Sequence, residues 1–553
     1  MKKDIRSLKK EVSRFKERYS DKELDPEIIE EIDHIHDDLE EITRSDEKKF
    51  WWLKINPAVF FTSFWVVFLL LIMTLVFGSE TMENIFSVVQ SEISQKAGWF
   101  FILTINVVLV FCLWLMFSRY GNIRLWWDDA KSDFTYIGWL SMLFSAGMWI
   151  GLLFFGVAEP VIHFESSPLL WMWNDAASQA QNAMTASFLH WWIHAWALYA
   201  VVWLALAYFT FNLKLPLTIR SIFYPIFWEK IHGWRWDIID IISVVATIFW
   251  LATSLGLGAW QVNQGLSELF WVWVGVFSQI IIIIVVTLFA TISLLLWLDK
   301  GIRFLSEWNM RIAVLLLWLI VILGPTIFIL WSFFQNIGHY LINFIEIGTW
   351  SGGYQSFTSS STWHQDWTIF YWAWWIAWCP FVGIFIARIS KGRTIREFLL
   401  WVVFVPSLFV FFWLTAFWGT ALSFELAGNI SISEAIANEG TTIALYSFLQ
   451  NFPFYILLAS VATLLVASFF ITSSDSWSFV VDTLTSWGRH DAPKFQKIFW
   501  ASAEWLVAAI LLVWGWLIAM QAATISLWVL FAIIVLVICY SLYTELKKDK
   551  SMK

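Results

Sequence analysis

The segment FYWAWWIAWCPFVG, Phe370 to Gly383, carries four tryptophans in its first nine positions, with Pro380 close behind. Indole faces are electrostatically negative. A set of them aimed at one point binds a cation that cannot donate hydrogen bonds, quaternary ammonium above all, at up to about 2 kcal/mol per desolvated contact. Spacings of 4, 4, 3 and 4 put Phe370, Trp374, Trp378, Phe381 and Phe385 on one helical stripe, with Trp375 at its edge. A second wall is predicted from HWWIHAWALY, where Trp192, Trp196 and Tyr199 share a side and Trp191 sits next to them. A chain with 43 tryptophans packs most of them against lipid and neighbouring helices, yet six lie between Trp363 and Trp378, where average spacing gives one or two. Three rings would supply roughly 6 kcal/mol. Micromolar affinity needs about 8, which leaves a share for a carboxylate held by backbone N–H groups freed at a broken helix.

Elements able to position such rings must lie in lipid. The chain has 553 residues, 59% hydrophobic and only 14% charged, which predicts an all-α integral membrane protein. Apolar runs long enough to span recur about twelve times, starting near Ile55, Gly98, Thr135, Ala183, Ile239, Phe270, Ile312, Thr368, Phe398, Phe454, Ile498 and Ala523. With the amino terminus inside, the inner loops and C-terminal tail hold 21 basic residues and the outer loops only Lys96, so both termini are expected in the cytoplasm. Three parts follow: a tail over 1–50, a twelve-helix domain over 51–543 and a short basic tail over 544–553.

About half of the net charge of -8 lies in the first 49 residues, with 16 acidic against 12 basic side chains, which describes a tail and not a nucleic-acid partner. Ile28, Ile29, Ile32, Ile35, Leu39 and Ile42 predict an amphipathic helix there, docked on a partner or solvated alone. No cleaved leader is expected ahead of so charged a segment. Cys112, Cys379 and Cys539 fall within spans and imply neither disulfides nor a metal cluster. SAGMWIG (Ser145–Gly151) in the third span and WCPFVG (Trp378–Gly383) in the eighth are expected to interrupt their helices at mid-membrane. With two leading spans set aside, these are the opening helices of two five-span halves, the placement an inverted repeat requires.

At this point five segments carry a resemblance: SAGMWIGLLFFGVAEP, FLHWWIHAWALYA, TSLGLGAWQ, FYWAWWIAWCPFVGIFIARISKGRTIREF and SFFITSSDSWS together resemble the betaine/choline/carnitine transporter family, from about Pro57 through the twelfth span. The resemblance implies the fold of the leucine transporter, with spans 3–7 and 8–12 as inverted repeats, commonly assembled as a homotrimer in the plasma membrane. It implies that Trp191, Trp196, Tyr199, Trp374, Trp375 and Trp378 line the substrate cage and access path, with Ala146 and Met148 of the third span beside them. One implied sodium site uses Ser145, Met148, Phe469, Thr472 and Ser473; the other uses Thr247 and the ring of Phe381. Sodium is the only ion implied, and no cofactor.

Departures from the family pattern bear on substrate and coupling. Trp149 stands at the middle glycine of the Gly-Met-Gly-Ile-Gly pattern, and Leu251 replaces a second threonine beside Thr247. Gly151 is kept where choline-specific members resemble an Asp-bearing pattern, which favours a zwitterion such as glycine betaine. No arginine occupies the middle of the fifth span, as it does in sodium-independent exchangers. A zwitterion gains nothing from the membrane potential, whereas each sodium ion contributes about 2.3 kcal/mol per 100 mV. Sodium symport is the expected reaction. Choline, carnitine, ectoine or a sulfonium osmolyte, with proton coupling or exchange, are the alternatives.

The remaining ionisable residues read more plainly. His190 and His194 lie four apart, but no third ligand is near them in sequence, so no metal other than sodium is expected. Glu159 and Asp475, toward span ends, are read as structural or gating groups. No nucleophile with a base is present, which argues against an enzyme; a sensor that binds without transport is the other class. The terminal lysines Lys547, Lys548, Lys550 and Lys553 are placed to touch anionic lipid.

Overall fold

The computed structural model describes residues 54–126, 130–147, 149–166, 175–231, 233–296, 300–354, 361–428, 431–489, 493–513 and 528–549. Ala58–Lys553 forms one compact unit; of the other, Met1–Pro57, only 54–57 are described, so the expected helix of the amino tail lies outside the described residues. Every regular element among the described residues is helical, as backbone groups removed from water require. The chain opens with α1 (Pro57–Phe77) and α2 (Ser79–Phe117), then α3 (Tyr136–Gly147), α4 (Trp149–Phe154) and α5 (Ala158–Ser166). Next come α6 (Ala176–Trp191), α7 (Ile193–Ala207), α8 (Trp234–Phe270), α9 (Val276–Leu296), α10 (Lys300–Leu323) and α11 (Thr326–Thr349). The second half holds α12 (Phe370–Ile389), the helical run Ile395–Leu426, α13 (Tyr455–Thr485), α14 (Lys494–Val513) and α15 (Trp528–Leu546).

Nine described helices are long and apolar enough to cross a membrane, and three shorter apolar ones, Pro57–Met73, Tyr136–Ser145 and Val276–Ile292, fall where the first, third and sixth spans are expected. The interruption expected at Trp378–Gly383 is absent. α12 runs unbroken through Cys379 and Pro380, since the missing proline N–H leaves the rest of its ladder intact. The third span breaks at Phe155–Val157 between α4 and α5, and the interruption expected at Ser145–Gly151 contains Met148, which lies outside the described residues. The fourth breaks at Trp192, whose φ of -110° and ψ of -140° leave the helical region between α6 and α7. Asp175 caps α6, accepting the Ser178 N–H (3.0 Å) and hydroxyl (2.8 Å), and these bonds hold its carboxyl below its ordinary value.

α11 has no counterpart in the sequence reading. It is amphipathic: Ile329, Ser332, Asn336, Tyr340, Asn343 and Ile347 are buried, while Ile327, Phe334, Ile342 and Ile345 face outward. Its buried face packs on α6 and so braces the helix that ends at Trp191.

The segment ISKGRTIREF is a fastening. Arg124 and Thr394 pair in an antiparallel bridge, with Leu125 N–H donating to the Arg393 carbonyl (2.8 Å) and Ile395 N–H to that of Ile123 (2.9 Å). Arg396 donates to the Met116 carbonyl (2.9 Å), the Ser118 carbonyl (3.1 Å) and the Asn122 side chain (2.8 Å). Thr394 and Glu397 form a capping box that starts the next helix. The Arg393 guanidinium lies over the Tyr136 ring, 4.1 Å from its centroid, while bonding Glu397 at 2.7 Å. The end of α2, the start of α3 and the end of α12 are thereby joined.

Gly392 makes the turn with φ of +74°, and a Cβ there would stand 2.6 Å from the Lys131 carbonyl carbon. Gly392→Ala is expected to cost about 1–3 kcal/mol through strain. A lower midpoint in a thermal scan of the detergent-purified protein checks it; an unchanged midpoint contradicts the turn as described.

Candidate functional site

Rings from α6, α7 and α12 meet around Trp375. Its centroid lies 5.3 Å from that of Trp191, edge to face, 5.7 Å from Tyr199 and 6.3 Å from Trp378 in a stack. Trp374 lies 5.9 Å from Trp375 and 6.3 Å from Trp378, and Trp196 lies 5.9 Å from Tyr199. All six rings are buried. The predicted stripe continues at Phe370, 5.2 Å from Trp374. Trp375, assigned to the edge of that stripe, is the centre of the cluster instead.

The break at Trp192 decides which fourth-span tryptophan joins. An unbroken helix would group Trp192 with Trp196 and Tyr199. With the helix interrupted, Trp191 turns to Trp375 and Trp192 packs away, 4.5 Å from Tyr340 and 4.8 Å from Phe411. Gly151 of α4 completes the wall: a Cβ there would come 2.8 Å from the Trp191 ring and 3.8 Å from that of Trp374. Ala146 lies in the last turn of α3 in helical backbone, and Met148 lies outside the described residues, as do the side chains of Ala146 and Trp149.

Behind Trp191 sits a carboxylate that the sequence reading left at a span end. Glu159 is fully buried on α5. Its Oε2 accepts the Trp191 Nε1–H and the Tyr371 hydroxyl, each at 2.6 Å, and its Oε1 faces His190 Nδ1 at 3.0 Å and His163 Nε2 at 3.3 Å. The remaining nitrogens have partners of their own. His163 Nδ1 accepts from Trp363 Nε1–H (3.1 Å), which leaves its Nε2–H for Glu159, and His190 Nε2 meets the Thr368 hydroxyl (3.1 Å), which can donate or accept, while its Nδ1 faces the acceptor-only carboxylate. Four donors thus surround one carboxylate. Glu159, His163 and His190 also bring ligand atoms within 4.8 Å of one another, the third member that the His190/His194 pair lacked in sequence. His194 goes elsewhere, to the Tyr340 hydroxyl at 3.4 Å and a stack on Phe344.

Residues of the first expected sodium site, Met148 aside, come together from three helices. The Ser473 hydroxyl lies 3.5 Å from the Ser145 carbonyl, and Thr472 Oγ1 donates to the Phe469 carbonyl at 3.0 Å. Asn309 of α10, not foreseen, donates to Thr472 Oγ1 at 3.3 Å; it was readable only as an amide inside an apolar run. Ser145 Oγ and Asn309 Oδ1 are buried without a hydrogen-bond partner among the described residues, and both are hard oxygen donors. In the second group the Thr247 hydroxyl bonds back to the Ser243 carbonyl at 2.7 Å, ordinary helix back-bonding. Thr247 and Phe381 are buried on α8 and α12, which pack together, and Leu251 is buried one turn on.

The family model described as BCCT, betaine/carnitine/choline family transporter, matches residues 58–551. The chain belongs to that family. The transporter is 42% identical over 512 residues to a glycine betaine/proline/choline transporter of Vibrio parahaemolyticus, covering 90% of this chain and 91% of the relative. It is 39% identical over 510 residues to glycine betaine transporter 1 of the same organism, covering 91% and 96%. To the glycine betaine transporter OpuD of Bacillus subtilis it is 38% identical over 498 residues, covering 88% and 94%. It is therefore a multi-pass membrane transporter and not an enzyme.

Because Glu159 serves four donors, one on its own helix and three on α6 and α12, Glu159→Leu would strand buried N–H and O–H groups at about 1–3 kcal/mol each. Glu159→Gln keeps an acceptor oxygen and should lose less. Thermal midpoints of the two purified variants are expected in the order wild type, Gln, Leu; equal midpoints would refute the hub.

Proposed function

We propose that the chain imports a quaternary-ammonium zwitterion of the glycine betaine kind by sodium symport, through twelve spans in two five-helix halves, with both termini in the cytoplasm. The observation that carries this reading is the convergence of Trp191, Tyr199, Trp374, Trp375 and Trp378 from separate helices, backed by Glu159. An indole that gives its N–H to a carboxylate becomes more electron-rich over its face, and the buried negative charge adds its own attraction for an onium group. Trp196 Nε1 and the Tyr199 hydroxyl are buried donors without a partner among the described residues, suited to the carboxylate end of a zwitterion. Neighbouring centroids 5.3–6.3 Å apart describe rings packed on one another, so substrate entry must part them. The relatives named for glycine betaine support the substrate class, and the hydroxyl–carbonyl group at Ser145, Thr472 and Ser473 supports sodium.

Gly151 argues against a bare choline carrier. An aspartate there would drive its Cβ into Trp191 before its charge could reach a ligand.

Uptake of radiolabelled glycine betaine into proteoliposomes, with and without a sodium gradient, tests the reading. Trp375→Leu should raise the half-saturating substrate concentration by roughly tenfold to thirtyfold, the equivalent of about 2 kcal/mol of cation–π attraction. Uptake unaffected by that change, or by replacing sodium with potassium, would sink the substrate or the coupling assignment respectively. The double change Thr472→Ala with Ser473→Ala is expected to raise the half-saturating sodium concentration by tenfold or more at unchanged substrate specificity, read from sodium titrations of initial rate.

A further inference from the structure

Another buried carboxylate differs from Glu159 in its surroundings and lies far from it in sequence. Glu504 is on α14, facing α13, and is 1% exposed. Along this seam α14 offers one polar group per turn at Gln496, Trp500 and Glu504, opposite Ser486, Asp482, Thr485 and Ser478 of the α13 side. The first two are matched. Gln496 Nε2 donates to Asp482 Oδ1 and Ser486 Oγ, each at 2.6 Å, and Trp500 Nε1 donates to Thr485 Oγ1 at 3.2 Å. Glu504 is not. Its Oε2 accepts one hydroxyl, from Ser478 at 2.7 Å, and its Oε1 is buried with no partner among the described residues.

The contrast with Glu159 decides the chemistry. Four donors can hold an ionised carboxylate out of water; one neutral hydroxyl cannot, and such a group keeps its proton or finds a cation. Among the described residues, the charged groups on the elements packed around it put no cation within ion-pair distance. α13 contributes Asp482, and the Asp475 side chain lies outside the described ones. On α14 itself Lys497 is two turns away, about 10 Å along the axis. α8 carries Arg235, Asp237 and Asp240 near one end, the two aspartates bound to Arg220, and Glu268 near the other, where Gln450 and Tyr455 donate to it. α1, whose Phe60 touches Trp500, and α9 contain no ionisable residue. Arg388 of α12 lies over the Phe479 ring at 5.1 Å.

We propose that Glu504 and Ser478 form a proton-binding site in which Glu504 is the neutral acid while α13 and α14 are packed, and gives its proton to water when the seam opens. The O–H bond of the carboxyl breaks, the proton passes to water, and the carboxylate left behind is solvated; no other reactant is needed. Whichever step parts α13 from α14 then releases a proton, and the transport rate becomes pH-dependent whatever the substrate is.

Infrared difference spectroscopy of the purified full chain, wild type minus Glu504→Gln, reads the site directly and without substrate. A protonated-carboxyl C=O band at neutral pH, present in wild type and absent from the variant, is expected; no difference band overturns the proposal. Glu504→Gln should also flatten the pH profile of proteoliposome uptake, and a profile identical to wild type overturns it equally. Ser478→Ala, a small change in a helix, guards against misfolding of the first variant. It removes the one donor that favours the ionised form, so the carboxyl band should persist to higher pH, by about tenfold in proton affinity. An unshifted band would show that Ser478 does not act on Glu504.

Discussion

One buried negative charge organises the centre of this molecule. Taking a carboxylate out of water is costly unless every lone pair is met, and Glu159 meets that condition with an indole, a phenol and two imidazoles drawn from α5, α6 and α12. Each donor is itself part of a wall. Satisfying the charge therefore fixes the orientation of Trp191, the stacking of Tyr371 on Trp374 and Trp375, and the closeness of the broken third and fourth spans to α12. The bond network and the aromatic packing are two descriptions of one constraint.

Helix interruptions supply the other half of the geometry. A regular helix would send Trp191 and Trp192 about 100° apart and align Trp192 with Trp196. The non-helical Trp192 backbone resets the phase, so that one indole enters the cluster while its neighbour braces α11 through Tyr340. Proline in α12 leaves a helix continuous where a break was expected. Chain direction in a membrane is thus governed less by which residues could break a helix than by where neighbouring groups can satisfy the freed backbone.

Much of the architecture was readable in sequence because lipid enforces a long apolar period, and the runs beginning near Gly98, Ala183, Ile239, Thr368 and Phe454 fall in the described helices α2, α6, α8, α12 and α13. The tryptophan pattern likewise pointed to the residues that meet around Trp375. What stayed hidden depended on contacts between distant segments. Glu159 and His163 share a helix and are legible as a pair, but their partners His190, Trp363 and Tyr371 come from elsewhere, and a wheel drawn on one helix cannot show them. α11 escaped because an amphipathic segment of moderate hydropathy falls below the threshold that detects spans. Its buried tyrosine and asparagines became meaningful only once α6 was in place. Of the terminal lysines, Lys547 and Lys548 are described and lean on protein: Lys548 pairs with Glu545 at 2.6 Å and lies over Trp228, and Lys547 lies over Tyr543, while Lys550 and Lys553 lie outside the described residues.

The seam joining Arg124 to Thr394, with Arg396 reaching three acceptors across it, has a mechanical reading. A lever clamped at one extremity swings only at the other. With the Ile389 extremity of α12 bolted to α2 and α3 and Tyr371 tied to Glu159 near its other extremity, angular play falls to the wider i→i+5 turn His364–Ile369 that leads into it.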